Sequence, residues 1–289
     1  MNLTYLRRDH TIADQLVEPF TGEGAYHGST KKRVPTTPKS EALVVDEMRP
    51  ATMNEYPVDA HRPIASFTPT FPNMYEVVDT LPIPSQEKIR SDGTTFVWCP
   101  FELAETVAGP LTRRVLDAMR AQLVGDKRHV YVDSKIQYLE PGDVPVDSQH
   151  WHVDGSIVAR GPAVEALGHS LVHDMKARFS PAPSPRYLAY QSSHHCATLF
   201  ITEPVTLSLP ELIPNFDVLD ASVRALDPPA IEQPAGSIVR TDGRSLHRAR
   251  AAVRAGWRLW IRVVETDREV QLEAPIVECY NTVFRPESE

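Results

Sequence analysis

Apolar residues recur at two different periods along this chain, and the change of period divides it. Leu111, Val115, Met119 and Leu123 fall on one helical face. Gly109-Pro110 stands before them, with Pro110 suited to a first helical turn, and Gly125 is placed to end the run. Two helical pieces are therefore expected over residues 101–124. From His129 onward the grammar is that of strands. Val130–Leu139, Tyr187–Gln191, Ala197–Ile201, Gly236–Thr241 and Gly256–Glu265 are rich in β-branched and aromatic residues, and a last strand is expected across 274–283. Turn signals, Glu140-Pro141-Gly142-Asp143 and Asp242-Gly243, punctuate them. A short helix is expected over Asp217–Leu226. Between the strands, Val164, Leu167, Leu171, Val172, Met175 and Phe179 predict a longer helix after Gly161-Pro162, closed by Pro181, Pro183 and Pro185. That insertion, at about 156–186, reads equally as a lid or as a cover over a sheet. Many short strands with turn signals predict a mainly β sandwich or barrel with flanking helices.

The first 95 residues lack either period. Ten prolines between Pro19 and Pro84 break any long helix or central strand, yet Phe20, Tyr26, Tyr56, Phe67, Phe71 and Tyr75 are too aromatic for a disordered tail. The expectation is an irregular Pro-rich arm, residues 1–95, packed on a β domain of residues 96–289, the whole forming one structural domain. Net charge is −8, which disfavours a polyanionic partner. The compact basic run Thr30-Lys31-Lys32-Arg33 reads as a solvated loop before it reads as a phosphate contact. No apolar run approaches a membrane span, and the first residues carry no secretory pattern, so a cytoplasmic protein without membrane contact is expected. Cys99, Cys196 and Cys279 show no CxxC spacing, so neither a disulfide framework nor a zinc site is expected.

The chemistry centres on Gln149-His150-Trp151-His152-Val153-Asp154-Gly155. On extended backbone, side chains two apart point the same way, so the imidazole of His152 and the carboxylate of Asp154 converge. Alone, one H-x-D among eleven histidines is unremarkable. A 2-His-1-carboxylate facial site for Fe(II) needs a third ligand from a distant strand, and His247, after a glycine-led strand and a tight turn, is the best candidate. On the strand that follows, Arg258, Trp260 and Arg262 share a face. Two arginines on an inward face need anions, and a guanidinium fork suits a carboxylate. His150 also stands two residues from His152.

His152-x-Asp154, His247 and Arg258 in this order resemble the Fe(II)/2-oxoglutarate-dependent dioxygenase superfamily. Trp151-His152-Val153-Asp154 and the stretch Gly236 to Leu246-His247-Arg248-Ala249 are similar to the phytanoyl-CoA hydroxylase and ectoine hydroxylase branch. The resemblance covers roughly residues 129–265 and implies a double-stranded β-helix (jelly roll, cupin-like). It implies that His152, Asp154 and His247 bind Fe(II), that Arg258 clamps 2-oxoglutarate, and that O2 takes the remaining position. It further implies hydroxylation of a C–H bond in a small polar or anionic metabolite, with release of succinate and CO2. Lys135 and Gln137, on one face of the strand upstream, become candidates for the cosubstrate, although a polar exterior face is the simpler reading. Arg262, His150 and Trp151 become substrate candidates, and for Arg262 a salt bridge to an acidic residue is an equal alternative.

Two rival functions stand beside this one. The same chemistry on a nucleobase or nucleotide would use Thr30–Arg33 or the arginine-rich 240–262 stretch against phosphate. A non-catalytic β-helix binding module would need neither triad nor clamp. Ser192-Ser193-His194-His195-Cys196 reads as structural, because adjacent histidines on a strand point to opposite faces. His173-Asp174 reads as helix surface. Hydrolase, NTPase and Rossmann motifs are absent.

Overall fold

The computed structural model describes residues 64–146, 149–155, 157–165, 167–168, 172–180 and 184–270. It also describes the backbone of four short strands at 29–30, 54–57, 276–277 and 284–285. The described chain is mainly β, with few helices and several largely antiparallel sheets. Most of the Pro-rich arm, including Lys31, Lys32 and Arg33, lies outside the described residues.

The largest sheet has seven strands, all paired antiparallel. Its order is 276–277, β2 (Phe96–Pro100), β3 (His129–Leu139), β12 (Gly256–Thr266), β6 (Arg186–Gln191), β10 (Ser237–Asp242) and β1 (Glu76–Thr80). β1 shows that the arm joins the body well before residue 95, at the sheet's edge. A three-stranded sheet runs β9 (Ala230–Glu232), β7 (Thr198–Ile201), β11 (His247–Ala249). A four-stranded one runs β8 (Leu212–Ile213), β5 (Val172–Asp174), β4 (Ile157–Arg160) and the strand at 54–57.

Two-residue alternation decides what faces inward. Helices α1 (Gln86–Asp92), α2 (Phe101–Val107) and α3 (Pro110–Arg120) accompany one face of the large sheet. Gly109 caps α3 and Pro110 opens it, as expected. Ile89, Phe101, Leu116 and Met119 bury themselves there with Val132 and Ile136 of β3, Leu188 and Tyr190 of β6, and Leu259, Ile261 and Val263 of β12. Asp133, Lys135 and Gln137 of β3, with Arg258, Trp260 and Arg262 of β12, therefore occupy the opposite face. A second apolar layer contains Trp151, Val153, Met175, Ile201, Leu246 and, from α5 (Asp217–Leu226), Leu219 and Val223.

The predicted insertion helix does not form. The described residues of 157–178 make β4, a single helical turn at Pro162–Glu165, β5, and the short helix α4 (Met175–Arg178). Gly168, at φ 76°, takes a conformation that interrupts a right-handed helix, and Val172 pairs with Ala159 across a sheet instead. His173 therefore sits on a strand and stacks on Phe216 at 4.5 Å. Asp174 is buried and caps α4 through Ala177 N–H.

Candidate metal centre and cavity

His152 and His247 meet as a backbone pair. His152 N donates to the His247 carbonyl and His247 N to the His152 carbonyl, both at 3.0 Å. Trp151 and Val153, one step to either side, turn into the apolar layer behind, so His152 turns forward. The imidazole centroids are 4.4 Å apart. Phe200, paired with His247 on β7, stacks on its ring at 5.4 Å.

Both histidines are held in the same way. Nδ1 of His152 lies 2.8 Å from the His150 carbonyl, and Nδ1 of His247 lies 2.9 Å from the Ser245 carbonyl. These contacts fix the rings with Nε2 available as the second nitrogen, the arrangement that orients metal-ligating histidines. Asp154 completes the group: its Oδ2 is 3.7 Å from His247 Nε2. One donor atom from each of His152, Asp154 and His247 lies within 4.8 Å of the others. Burial holds His152 neutral, pushing its pKa down to about 4, and a neutral imidazole is the ligating form. Burial acts to raise the Asp154 carboxyl, but Arg262, then His247 and His152, outweigh it and keep the group well below the usual carboxylate range. Two imidazoles and one carboxylate on one side of a cavity suit a divalent transition metal with open positions.

The loop carrying Asp154 is braced by a residue that patterning missed. Arg178 Nη1 donates to the Asp154 and Gly243 carbonyls, and its Nη2 to the Gly155 carbonyl, each at 2.7 Å. It thereby ties the Asp154 loop to the turn that precedes His247. Burial lowers the Arg178 pKa to about 10. Nothing in its sequence position distinguishes it from a basic residue at a helix end. Asn73 was equally hidden: its Oδ1 accepts from Leu246 N at 2.9 Å and its Nδ2 donates to the Glu203 carbonyl at 2.7 Å.

In front of these three groups lies a cavity of about 240 Å³, lined in part by Phe96, Trp98, Lys135, Trp260, Arg258 and Arg262. Lys135 extends over the Trp260 ring at 5.7 Å. Arg258 is 3% exposed. Its Nε donates to the Cys196 carbonyl at 3.1 Å, and among the described residues no carboxylate pairs with it. Burial without a counter-ion lowers its pKa.

No family model and no curated protein matches this chain.

Of the remaining expected site residues, Arg262 lines the cavity, whereas Gln137, His150 and Trp151 do not. Gln137 shares the inward face with Lys135 but is fully buried, and its Nε2 donates to the Pro145 carbonyl at 3.0 Å. It supports the loop whose Pro145 and Val146 line the cavity. The His150 ring turns away to Asp217, with Nδ1 3.0 Å from Oδ1, so its link to the site is its carbonyl. Trp151 is 5% exposed in the apolar layer, under the Arg248 guanidinium. Its N–H donates to Asp220 Oδ1 at 2.8 Å. Neither side chain lines the cavity, because alternation from His152 sends Trp151 to the other face and Asp217 draws His150 outward. Arg262 lines the cavity but spans two carboxylates, Asp154 and Asp133, which is the ion-pair alternative. Three other arginines of 240–262 are engaged as well. Arg240 pairs with Glu76, Arg250 with Glu232, and Arg244 with the Arg178 and Ser180 carbonyls. In the Ser192–Cys196 stretch, His194 is exposed while His195 is buried against the Gly256 carbonyl. Among the described residues, no helix is long and apolar enough to cross a membrane.

Proposed function

We propose that this protein is an Fe(II)- and 2-oxoglutarate-dependent oxygenase that hydroxylates a small polar or anionic metabolite on a double-stranded β-helix scaffold. The observation that carries the reading is the pairing of two features in one cavity: three convergent groups able to ligate a metal, and a buried guanidinium without a carboxylate partner among the described residues. A buried unpaired charge is costly, and a bound dicarboxylate would offset that cost through a bidentate contact.

In this reading His152, Asp154 and His247 hold Fe(II), which with the cosubstrate supplies the activation of O2 for C–H oxidation. Arg258 holds the far carboxylate of 2-oxoglutarate. It lines the same cavity as His152, Asp154 and His247, which supports its role as the anchor. Phe96, Trp98 and Trp260 keep bulk water from the reacting groups, and Lys135 adds a cation suited to an acidic substrate. The engagement of Arg240, Arg244, Arg250 and Arg262 within the protein supports a small molecule over a nucleic-acid backbone.

The test is succinate formation from 2-oxoglutarate under Fe(II) and O2, followed by NMR. Wild-type protein is expected to form succinate, slowly even without a prime substrate, and His152→Ala and His247→Ala to form none. No succinate from wild type, or equal amounts from all three proteins, would refute the assignment and leave a binding module as the reading.

A further inference from the structure

Arg262 and Asp133 form a chain of contacts that stops at the ligand carboxylate. Arg262 Nη1 donates to Asp154 Oδ1 at 2.6 Å, and its Nη2 donates to Asp133 Oδ2 at 2.7 Å. Asp133 Oδ1 in turn accepts from Trp98 N at 2.8 Å. Trp98 is held at φ 47°, a left-handed backbone that a bulky residue adopts only where its surroundings impose it. Asp133 and Arg262 are direct cross-strand partners on β3 and β12, and the other neighbour of Arg262 is Ala189 on β6. The small Ala189 leaves the guanidinium room to lie over Tyr187 and Trp260, at 5.6 Å and 5.5 Å from their centroids. The cation is thus fixed on several sides.

Two consequences follow for a metal at His152, Asp154 and His247. With Oδ1 occupied by Arg262, Asp154 presents only Oδ2 toward His247. A second carboxylate oxygen would otherwise be free to take one of the positions that substrates need. A full cation at hydrogen-bonding distance also withdraws charge from that ligand. Asp133 restores the balance: the buried set of Arg262, Asp133 and Asp154 carries one net negative charge, as a lone ligand carboxylate would.

We propose that Arg262 and Asp133 are a paired positioning device, Arg262 limiting Asp154 to one-oxygen ligation and Asp133 cancelling the charge of Arg262. The inference rests on the metal-centre reading above and assigns to Arg262 a role toward the ligand instead of toward substrate.

The test is Co(II) affinity by titration calorimetry, with the Co(II) absorption spectrum as the second readout. Asp133→Asn is isosteric and keeps an acceptor for Trp98 N–H, but it leaves Arg262 unbalanced, so Co(II) affinity is expected to fall about 10- to 100-fold, the range for outer contacts of ligands. In Asp133→Asn/Arg262→Gln the net charge returns to that of the wild type. Affinity is then expected to recover to within about threefold of wild type, while the visible Co(II) bands shift because Asp154 Oδ1 is released. A purely structural role predicts the opposite order, with the double variant at least as weak as Asp133→Asn. That order, or wild-type affinity in Asp133→Asn, or unchanged bands in the double variant, would overturn the proposal. Co(II) binding that is lost in His152→Ala yet insensitive to Asp133 overturns this inference alone. A wild-type protein that takes no Co(II) overturns the metal-centre reading and this inference with it.

Discussion

Replacing Arg258 with methionine should make the ligand-free protein more stable and the ligand-binding protein useless. Arg258 is 3% exposed and, among the described residues, makes one hydrogen bond, to the Cys196 carbonyl. Losing a hydrogen bond from a charged donor costs about 1.5–3 kcal/mol. Against that stands the desolvation of a guanidinium, effectively several kcal/mol per buried ion after relaxation. Methionine keeps an unbranched, adaptable stem without a charge, although it is shorter than arginine. The difference is a stabilisation of about 1–3 kcal/mol, or a midpoint rise of roughly 2–4 °C per kcal/mol by the scaling for domains of 150–250 residues. The second arm runs the other way. A ligand at 100 times its Kd stabilises the folded state by about 2.7 kcal/mol. Wild-type protein should gain that increment from 2-oxoglutarate with a redox-inert divalent metal present, and Arg258→Met should gain almost none. Urea unfolding of both proteins, with and without cosubstrate, measures all four values. A ligand-free variant less stable than wild type by about 1 kcal/mol or more, or an undiminished gain with 2-oxoglutarate, would refute the reasoning. Arg258 would then be structural.

Gly155 sits at φ 70° directly after Asp154, and an added Cβ would run into the Tyr187 hydroxyl. Gly155→Ala is expected to cost about 1–2 kcal/mol from the left-handed backbone alone and to weaken Co(II) binding by displacing the neighbouring carboxylate; wild-type stability in this variant would contradict the turn assignment. The metal-free protein should also lose stability as pH falls from 6.5 toward 4. Burial first, and Arg178 second, hold His173 at about 4, well below the usual histidine value, so the unfolded chain binds its proton earlier. The contribution is complete above the unfolded value and is lost as pH drops through the folded one, with a limiting slope of about 1.4 kcal/mol per unit. His173→Phe, which keeps the stacking on Phe216, should lower that slope by about one proton between pH 4 and 6.5. Parallel stability curves for the two proteins would count against it.

Local pattern alone determined a good deal of this protein. The helix break at Gly109-Pro110, the strands at 129–139 and 256–266, and the helix at Asp217–Leu226 all follow from period, capping and turn chemistry, which act over a few residues. The convergence of His152 and Asp154 was legible for the same reason, since two-residue alternation is a property of the strand itself. So was the common face of Arg258, Trp260 and Arg262. Which face of β3 points inward was not, because the helices that cover Val132 and Ile136 come from elsewhere in the chain. The insertion misled for a related reason: Val164, Leu167, Val172 and Met175 satisfy a helical period, but Gly168 and the pairing of Val172 with Ala159 make strands of it. Only the tertiary structure decided that His150 turns to Asp217, that Trp151 joins an apolar layer, and that Arg178 ties the Asp154 loop to the turn before His247. Only it decided that Arg262 meets two carboxylates while Arg258, four residues earlier on the same face, meets none among the described residues. Charge pairing depends on which strand lies opposite, and that register is set by packing between segments more than a hundred residues apart in sequence.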